Sequence, residues 1–212
     1  MKIHNDSVFP TNSKKISASV IEITKSLPPD VQLAAASKTR TPEEVQTAIR
    51  AGIKIIGYNY VQEAEKMYRV IGNQVQWHMI GHLQRNKVKK AVILFDMIET
   101  IDSWNLAETI DYHCAAIGKT MPVLIEINSG RESNKTGVLP EEVDELAWEI
   151  SDLPNLRVQG LMTMGPRFGN PEDARSYFKA TKAAFDHLSQ AKIVNVEMRY
   201  LSMGMSNSYH IA

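Results

Sequence analysis

The sequence predicts an α/β barrel. Short apolar runs alternate with amphipathic helical patterns along the chain, polar or glycine residues stand where most of those runs end, and no glycine-rich dinucleotide turn follows the first run. Repeated strand–helix units fit either an open doubly wound sheet or a closed (β/α)8 barrel, with right-handed crossovers in both. An open sheet that binds a dinucleotide favours G-x-G-x-x-G after its first strand. Here Ser37-Lys38-Thr39-Arg40 occupies that place and no P-loop occurs elsewhere, which favours the barrel.

The elements follow in order. A leading amphipathic segment, Ser13 to Leu27, precedes the first predicted strand, Val31 to Ser37. Its helix, Pro42 to Ala51, has a legible start: Thr41 is a hydroxyl N-cap, Pro42 takes the first helical position, and Glu44 can complete a capping box. The strand Ile53 to Asn59 is followed by the helix Val61 to Ile71, Val75 to Gly81 by Lys87 to Ile93, and Phe95 to Ile101 by Ser103 to Ile117. Pro122 to Asn128 leads into Pro140 to Leu153, and Arg157 to Gly165 into Pro171 to Leu188, whose entry Asn170-Pro171-Glu172-Asp173 repeats the capping logic. The seventh strand, Val196 to Met203, leads to a helix expected to begin near Ser206. No Gly/Ser linker, charge block or composition shift interrupts this rhythm, so residues 1–212 read as one domain.

Composition narrows the function. Lysine and arginine number 24 against 24 aspartates and glutamates, so no net field recruits nucleic acid or an acidic membrane. The single cysteine, Cys114, excludes an intramolecular disulfide and a Cys-rich metal site, which fits a reducing compartment, and reads as a packed helix residue. Met1 to Ser13 has no long apolar core and no later stretch approaches a membrane span, so the expectation is a soluble cytoplasmic protein. Hydrophobic residues make up 43% of the chain and are spread along it, enough for a substantial core.

In a barrel the site forms at the C-terminal ends of the strands. Lys38 follows the first strand, Asn59 closes the second, and Gly81-His82 the third. Asn128 and Ser129 follow the fifth, Thr163-Met164-Gly165 ends the sixth, and Ser202-Met203-Gly204-Met205-Ser206 the seventh. A lysine at the end of an apolar strand is partly desolvated, which lowers its pKa and frees the amine to attack an aldehyde. The competing reading is a lysine snorkelling into water at the rim. Serines and glycine at the last strand-to-helix turn present hydroxyls and N–H groups that suit a phosphate, although the same residues serve as an N-cap and a tight bend. His82 and Arg85 lie in the turn after the third strand, where a ligand or a plain surface turn accounts for them equally. No His, Cys and carboxylate spacing suggests a metal, and Gly130 to Gly137 lacks the Walker spacing.

Five blocks together resemble the YggS/PROSC family of pyridoxal-phosphate-binding proteins. They are Ala36-Ser37-Lys38-Thr39, Gly57 to Glu63, Ile80 to Lys87, Gly160-Leu161-Met162-Thr163-Met164 and Leu201 to Ser206, in the family's order and across nearly the whole chain. The resemblance implies a TIM (β/α)8-type barrel like the N-terminal domain of alanine racemase, with pyridoxal 5′-phosphate held as a Schiff base on Lys38. It further implies that Asn59 contacts the cofactor ring region, that Met164 packs near it, and that Ser202 with the Gly204 to Ser206 backbone holds the phosphate. His82 and Met203, inside the matching blocks, complete the expected cofactor-binding set. The implied role is vitamin B6 and amino-acid homeostasis without a robust catalytic activity, with transient contact with apoenzymes that use the cofactor, no nucleic-acid or membrane partner, and a monomer or weak dimer.

Three departures stand out. Tyr58 takes a position usually held by glutamate, Ser208 one where aspartate is common, and the chain stops at Ala212, before an expected eighth strand with its own phosphate contact. The expectation is a C-terminally shortened form of a longer protein. Two other readings use the same lysine: an amino-acid racemase-like enzyme, for which the second-domain acid/base group has no room in this chain, and a barrel aldolase forming a Schiff base with a sugar phosphate.

Overall fold

In the computed structural model, residues 10–166 and 169–212 are described, with side chains from residue 12 onward. The reading of Met1 to Ser13 therefore lies mostly outside the described residues. The chain packs as two compact units, the first ending at His78 and the second running from Met79 to Ala212.

The first unit begins with α1, Pro10–Ser26, which packs on α2, Pro42–Arg50. β1, Ala34–Ala36, pairs in parallel with β2, Ile55–Tyr58, with Ala34 opposite Ile55 and Ala36 opposite Gly57. α3, Val61–Ile71, separates β2 from β3, Gln76–Met79. The predicted capping box at Thr41 is present: Glu44 N–H donates to Thr41 Oγ1 at 3.3 Å, and Thr41 N–H donates to Glu44 Oε2 at 3.0 Å. An N-cap of this kind stabilises a helix by about 1 kcal/mol. Val61, Ala64, Met67 and Ile71 form the buried stripe of α3, as the helical period requires.

In the second unit, residues Arg85–Lys87 form a 3-10 turn leading into α4, Val88–Leu94. Then follow β4 (Met97–Ile101), α5 (Trp104–Ala115), β5 (Met121–Glu126), α6 (Val143–Ser151), β6 (Leu156–Met162), α7 (Ala174–Ala191) and β7 (Val196–Ser202). β4 to β7 pair in parallel in sequence order. Parallel strands covered by helices should be apolar almost throughout, and β4 is buried at all five positions. Asn170 accepts from Glu172 N–H at 3.1 Å, the second predicted cap.

The register of β6 slips between Val158 and Gly160, and only glycine serves there. Gly160 has φ +146°, and a Cβ on it would lie 1.9 Å from the Tyr200 carbonyl oxygen of β7. Cys114 is buried in α5, as expected of a packed helix residue. One expectation fails: no helix starts near Ser206. Residues 206–211 form linked turns held by Ser208 and Tyr209 N–H donating to the Met205 carbonyl, both at 2.8 Å, so two donors converge on one acceptor instead of stepping along a ladder. Among the described residues, no helix is long and apolar enough to cross a membrane.

Candidate functional site

In the first unit the end of β1 runs straight into a turn. Ser37 N–H is fixed to the Gly57 carbonyl at 2.9 Å, and Arg40 N–H closes the turn on the Ser37 carbonyl at 3.3 Å. Thr39 inside it has φ +63°, a left-handed conformation that a β-branched residue rarely adopts, so local strain follows the lysine immediately. Lys38 itself is exposed. The expected burial at this position is not seen: Lys38 continues the alternation of β1, on the side of the exposed Ala34 and Ala36, while Ser37 between Ala36 and Lys38 is buried. Asn59, half-buried, follows β2.

Beside this turn Tyr58 is 1% exposed and stacks on Trp77, with ring centroids 5.7 Å apart and planes 19° from parallel. Aromatic packing thus fills the position where a carboxylate was expected by resemblance. Burial, reinforced by the nearby Glu63 charge, pushes the Tyr58 phenol up to about 12. The Ser37 hydroxyl lies close, but it donates to the Ala35 carbonyl at 3.1 Å, and the Tyr58 hydroxyl reaches no hydrogen-bond geometry.

The strand ends of the second unit carry several polar contacts. At the end of β7, Ser202 Oγ contacts Glu99 Oε2 of β4 at 2.5 Å, and Glu99 is 3% exposed. Next to it, Gly204 turns the backbone at φ +92°. Met205 N–H donates to Ser208 Oγ at 3.1 Å, so the serine in the expected aspartate position is a buried brace for the turn. Among the described residues, the Gly204, Ser206 and Asn207 N–H groups donate to no backbone carbonyl. Open N–H groups beside a hydroxyl make a concavity suited to an anion, as the residues alone had suggested, except that Met205 N–H is already engaged. Met203 is half-buried, and Met164, after β6, is 42% exposed.

Glu126, ending β5, is 6% exposed. Its Oε1 accepts from Thr136 Oγ1 at 2.9 Å, while Oε2 is buried without a hydrogen-bond partner. Burial raises the Glu126 pKa above the ordinary carboxylate value; the Thr136 hydrogen bond opposes this, Asp102 adds to it, and His82 and Lys135 oppose it. His82 Nδ1 meets Asp102 Oδ2 at 3.2 Å. Thr163 Oγ1, at the end of β6, donates to the Ile127 carbonyl at 3.0 Å.

The structure thus gathers Lys38 and Asn59 at strand ends of the first unit, and His82, Met164, Ser202, Met203, Gly204 and Ser206 at or after strand ends of the second. Sequence reasoning missed Glu99 and Glu126. The available signal was a carboxylate inside an otherwise apolar strand, in Met97-Ile98-Glu99-Thr100-Ile101 and in Leu124-Ile125-Glu126-Ile127.

Comparison with known proteins bears on this arrangement. Residues 12–212 match the family model described as alanine racemase, N-terminal domain. The chain is 40% identical over 182 residues to a pyridoxal phosphate homeostasis protein of Aquifex aeolicus, covering 85% of this chain and 79% of that one. The solved structure of PipY from Synechococcus elongatus without PLP superposes with a TM-score of 0.87 at 30% identity, over 93% of this chain and 92% of the other. PipY with PLP bound gives 0.84 at 29% identity and the same coverage. An alanine racemase of Clostridium difficile, 15% identical with a TM-score of 0.76 over 93% of this chain and 51% of that one, shares the fold.

Proposed function

The chain belongs to the pyridoxal phosphate homeostasis protein family, on the alanine racemase N-terminal-domain fold, and from that premise we propose that it binds pyridoxal 5′-phosphate as a Schiff base on Lys38. The observation that carries the reading is a reachable primary amine on the turn that ends β1; the open N–H groups after β7, in the second unit, support it separately. Among the described residues the exposed Lys38 Nζ has no hydrogen-bond or ion-pair partner to break before it condenses with an aldehyde and releases water. The Gly204 and Ser206 N–H groups supply hydrogen bonds for a phosphate, Ser202 joins them only by turning its hydroxyl away from Glu99, and the brace from Ser208 holds the turn in shape before any ligand arrives. When bound, the cofactor supplies a reactive aldehyde and an electron-accepting ring.

The role that follows is cytoplasmic handling of the cofactor in vitamin B6 and amino-acid homeostasis, with residues 1–212 serving one binding function and delivery to apoenzymes as its outlet. Exposure of Lys38 supports delivery, since an amine accessible to solvent is also accessible to the water that reverses the condensation. The test is spectroscopic. Added pyridoxal 5′-phosphate should produce a visible Schiff-base band, borohydride should fix the added mass on the peptide containing Lys38, and Lys38→Ala should abolish both. A band that survives in Lys38→Ala refutes the assignment.

A further inference from the structure

We infer that the second unit holds another ligand site, a cleft for a small organic carboxylate between the loops that follow β3 and β4. The cleft is open to solvent and offers about 480 Å³, within the range of small-molecule sites. None of Met164, Ser202, Met203, Gly204 or Ser206 lines it; of the residues expected to meet the cofactor in this unit, only His82 does.

Its chemistry is specific. Leu83 and Leu106, 1% and 2% exposed, give it an apolar side. Arg85 lines it and, among the described residues, its guanidinium forms no ion pair, so a planar five-donor fork is available. The Asn86 and Asn105 carboxamides line the same space without a side-chain partner among the described residues. Asp102 also lines it, but its two oxygens are engaged, one by His82 Nδ1 at 3.2 Å and the other by Ser103 Oγ at 3.0 Å. Because the Ser103 hydroxyl points to Asp102, it does not cap α5, which leaves the first N–H groups of that 12-residue helix adding positive potential on this side.

One free guanidinium beside neutral amide donors and an apolar wall matches a monoanion with a hydrocarbon body. A phosphate dianion is disfavoured by the Asp102 carboxylate in the lining, with a single unpaired cation to offset it. A water-filled surface groove, the bland alternative, has no reason to discriminate between a carboxylate and its uncharged amide.

That discrimination is the test, and it stands apart from the cofactor assignment. The 15N-labelled full chain is titrated with butyrate, butyramide and inorganic phosphate, with and without saturating pyridoxal 5′-phosphate. Butyrate should give saturable shifts confined to the amides of His82 to Asn86 and Asp102 to Leu106, butyramide should not, and phosphate should bind more weakly. Arg85→Gln, a change at an exposed side chain, should weaken butyrate by roughly tenfold, the scale of one lost charge-assisted hydrogen-bond pair. Asn105→Ala gives an independent smaller loss. Equal response to butyramide, tighter binding of phosphate, or an unchanged affinity in Arg85→Gln overturns the inference. Loss of butyrate binding when the cofactor is added overturns it too, by making the cleft part of the cofactor's own site.

Discussion

The turn after β1 and the strand ends of the second unit carry the same class of residue, polar side chains closing apolar parallel strands, but they are packed in opposite ways. Lys38 stands exposed on a turn strained at Thr39, and among the described residues its amine holds no hydrogen bond or ion pair. Ser202, Glu99, Glu126 and Ser208 are tied into buried or half-buried contacts that the fold itself needs. The difference separates two tasks. On the proposed function, the amine that would form and break a covalent bond is left accessible, whereas the turn after β7 that would meet an anion is braced before one arrives, so ordering it does not weaken binding.

The largest effect that tests this contrast is on the stability of the ligand-free chain. Ser202→Ala removes a hydrogen bond to a buried carboxylate and should cost about 1–3 kcal/mol, the range for leaving such a group under-satisfied. Lys38→Ala removes an exposed side chain and should stay within about 0.5 kcal/mol of the parent. Urea unfolding of the two variants measures both. Equal losses would erase the distinction between an accessible reactive group and a built-in recognition group.

A smaller effect, visible only as a trend with pH, comes from Glu126. Burial holds its carboxyl above the ordinary range in the folded chain, so the folded state binds this proton more tightly than the unfolded state does. The stability it contributes is fully present below the unfolded pKa and is lost as pH rises through the folded one. Glu126→Gln removes that dependence while keeping an oxygen to accept from Thr136. Unfolding curves should show the variant gaining on the parent as pH rises from the carboxylate range to neutrality; parallel curves would mean that Glu126 ionises as freely folded as unfolded.

The strand–helix alternation was legible because parallel strands buried on both faces are apolar runs and helix entries carry their own signals, as at Thr41 and Asn170. Strand ends were read one to three residues too long at Val31 to Ser37 and Arg157 to Gly165, where the Ser37 and Thr163 N–H groups still donate to the neighbouring strand just past the last strand residue. The linked turns after Ser206 looked like a helix because a serine after a glycine is a fair N-cap, while the convergence of two N–H groups on one carbonyl has no sequence signature. Lys38, Asn59 and Ser202 are candidates by position and motif, and each stands at or just after a strand end. Glu99 and Glu126 left only the faint signal of a carboxylate inside an apolar run, because what marks them is depth of burial and, for Glu126, an unmatched oxygen, properties of packing across strands distant in sequence.

The smallest effect should have the opposite sign. Tyr58 buries a hydroxyl that reaches no hydrogen-bond geometry, and its ring already gains its packing from Trp77. Tyr58→Phe keeps the stack and deletes the unsatisfied group, so it should stabilise the chain by about 1 kcal/mol. The change also removes a group whose ionisation burial opposes, so the gain should be constant at every pH well below the ordinary phenol value of 10 and should grow above it, where the unfolded parent ionises first. Thermal unfolding of the variant beside the parent decides the matter. A loss instead of a gain would show that the hydroxyl is engaged, with Ser37 as the nearest candidate, and would tie the first unit's lysine turn to its core as firmly as Ser202 is tied in the second.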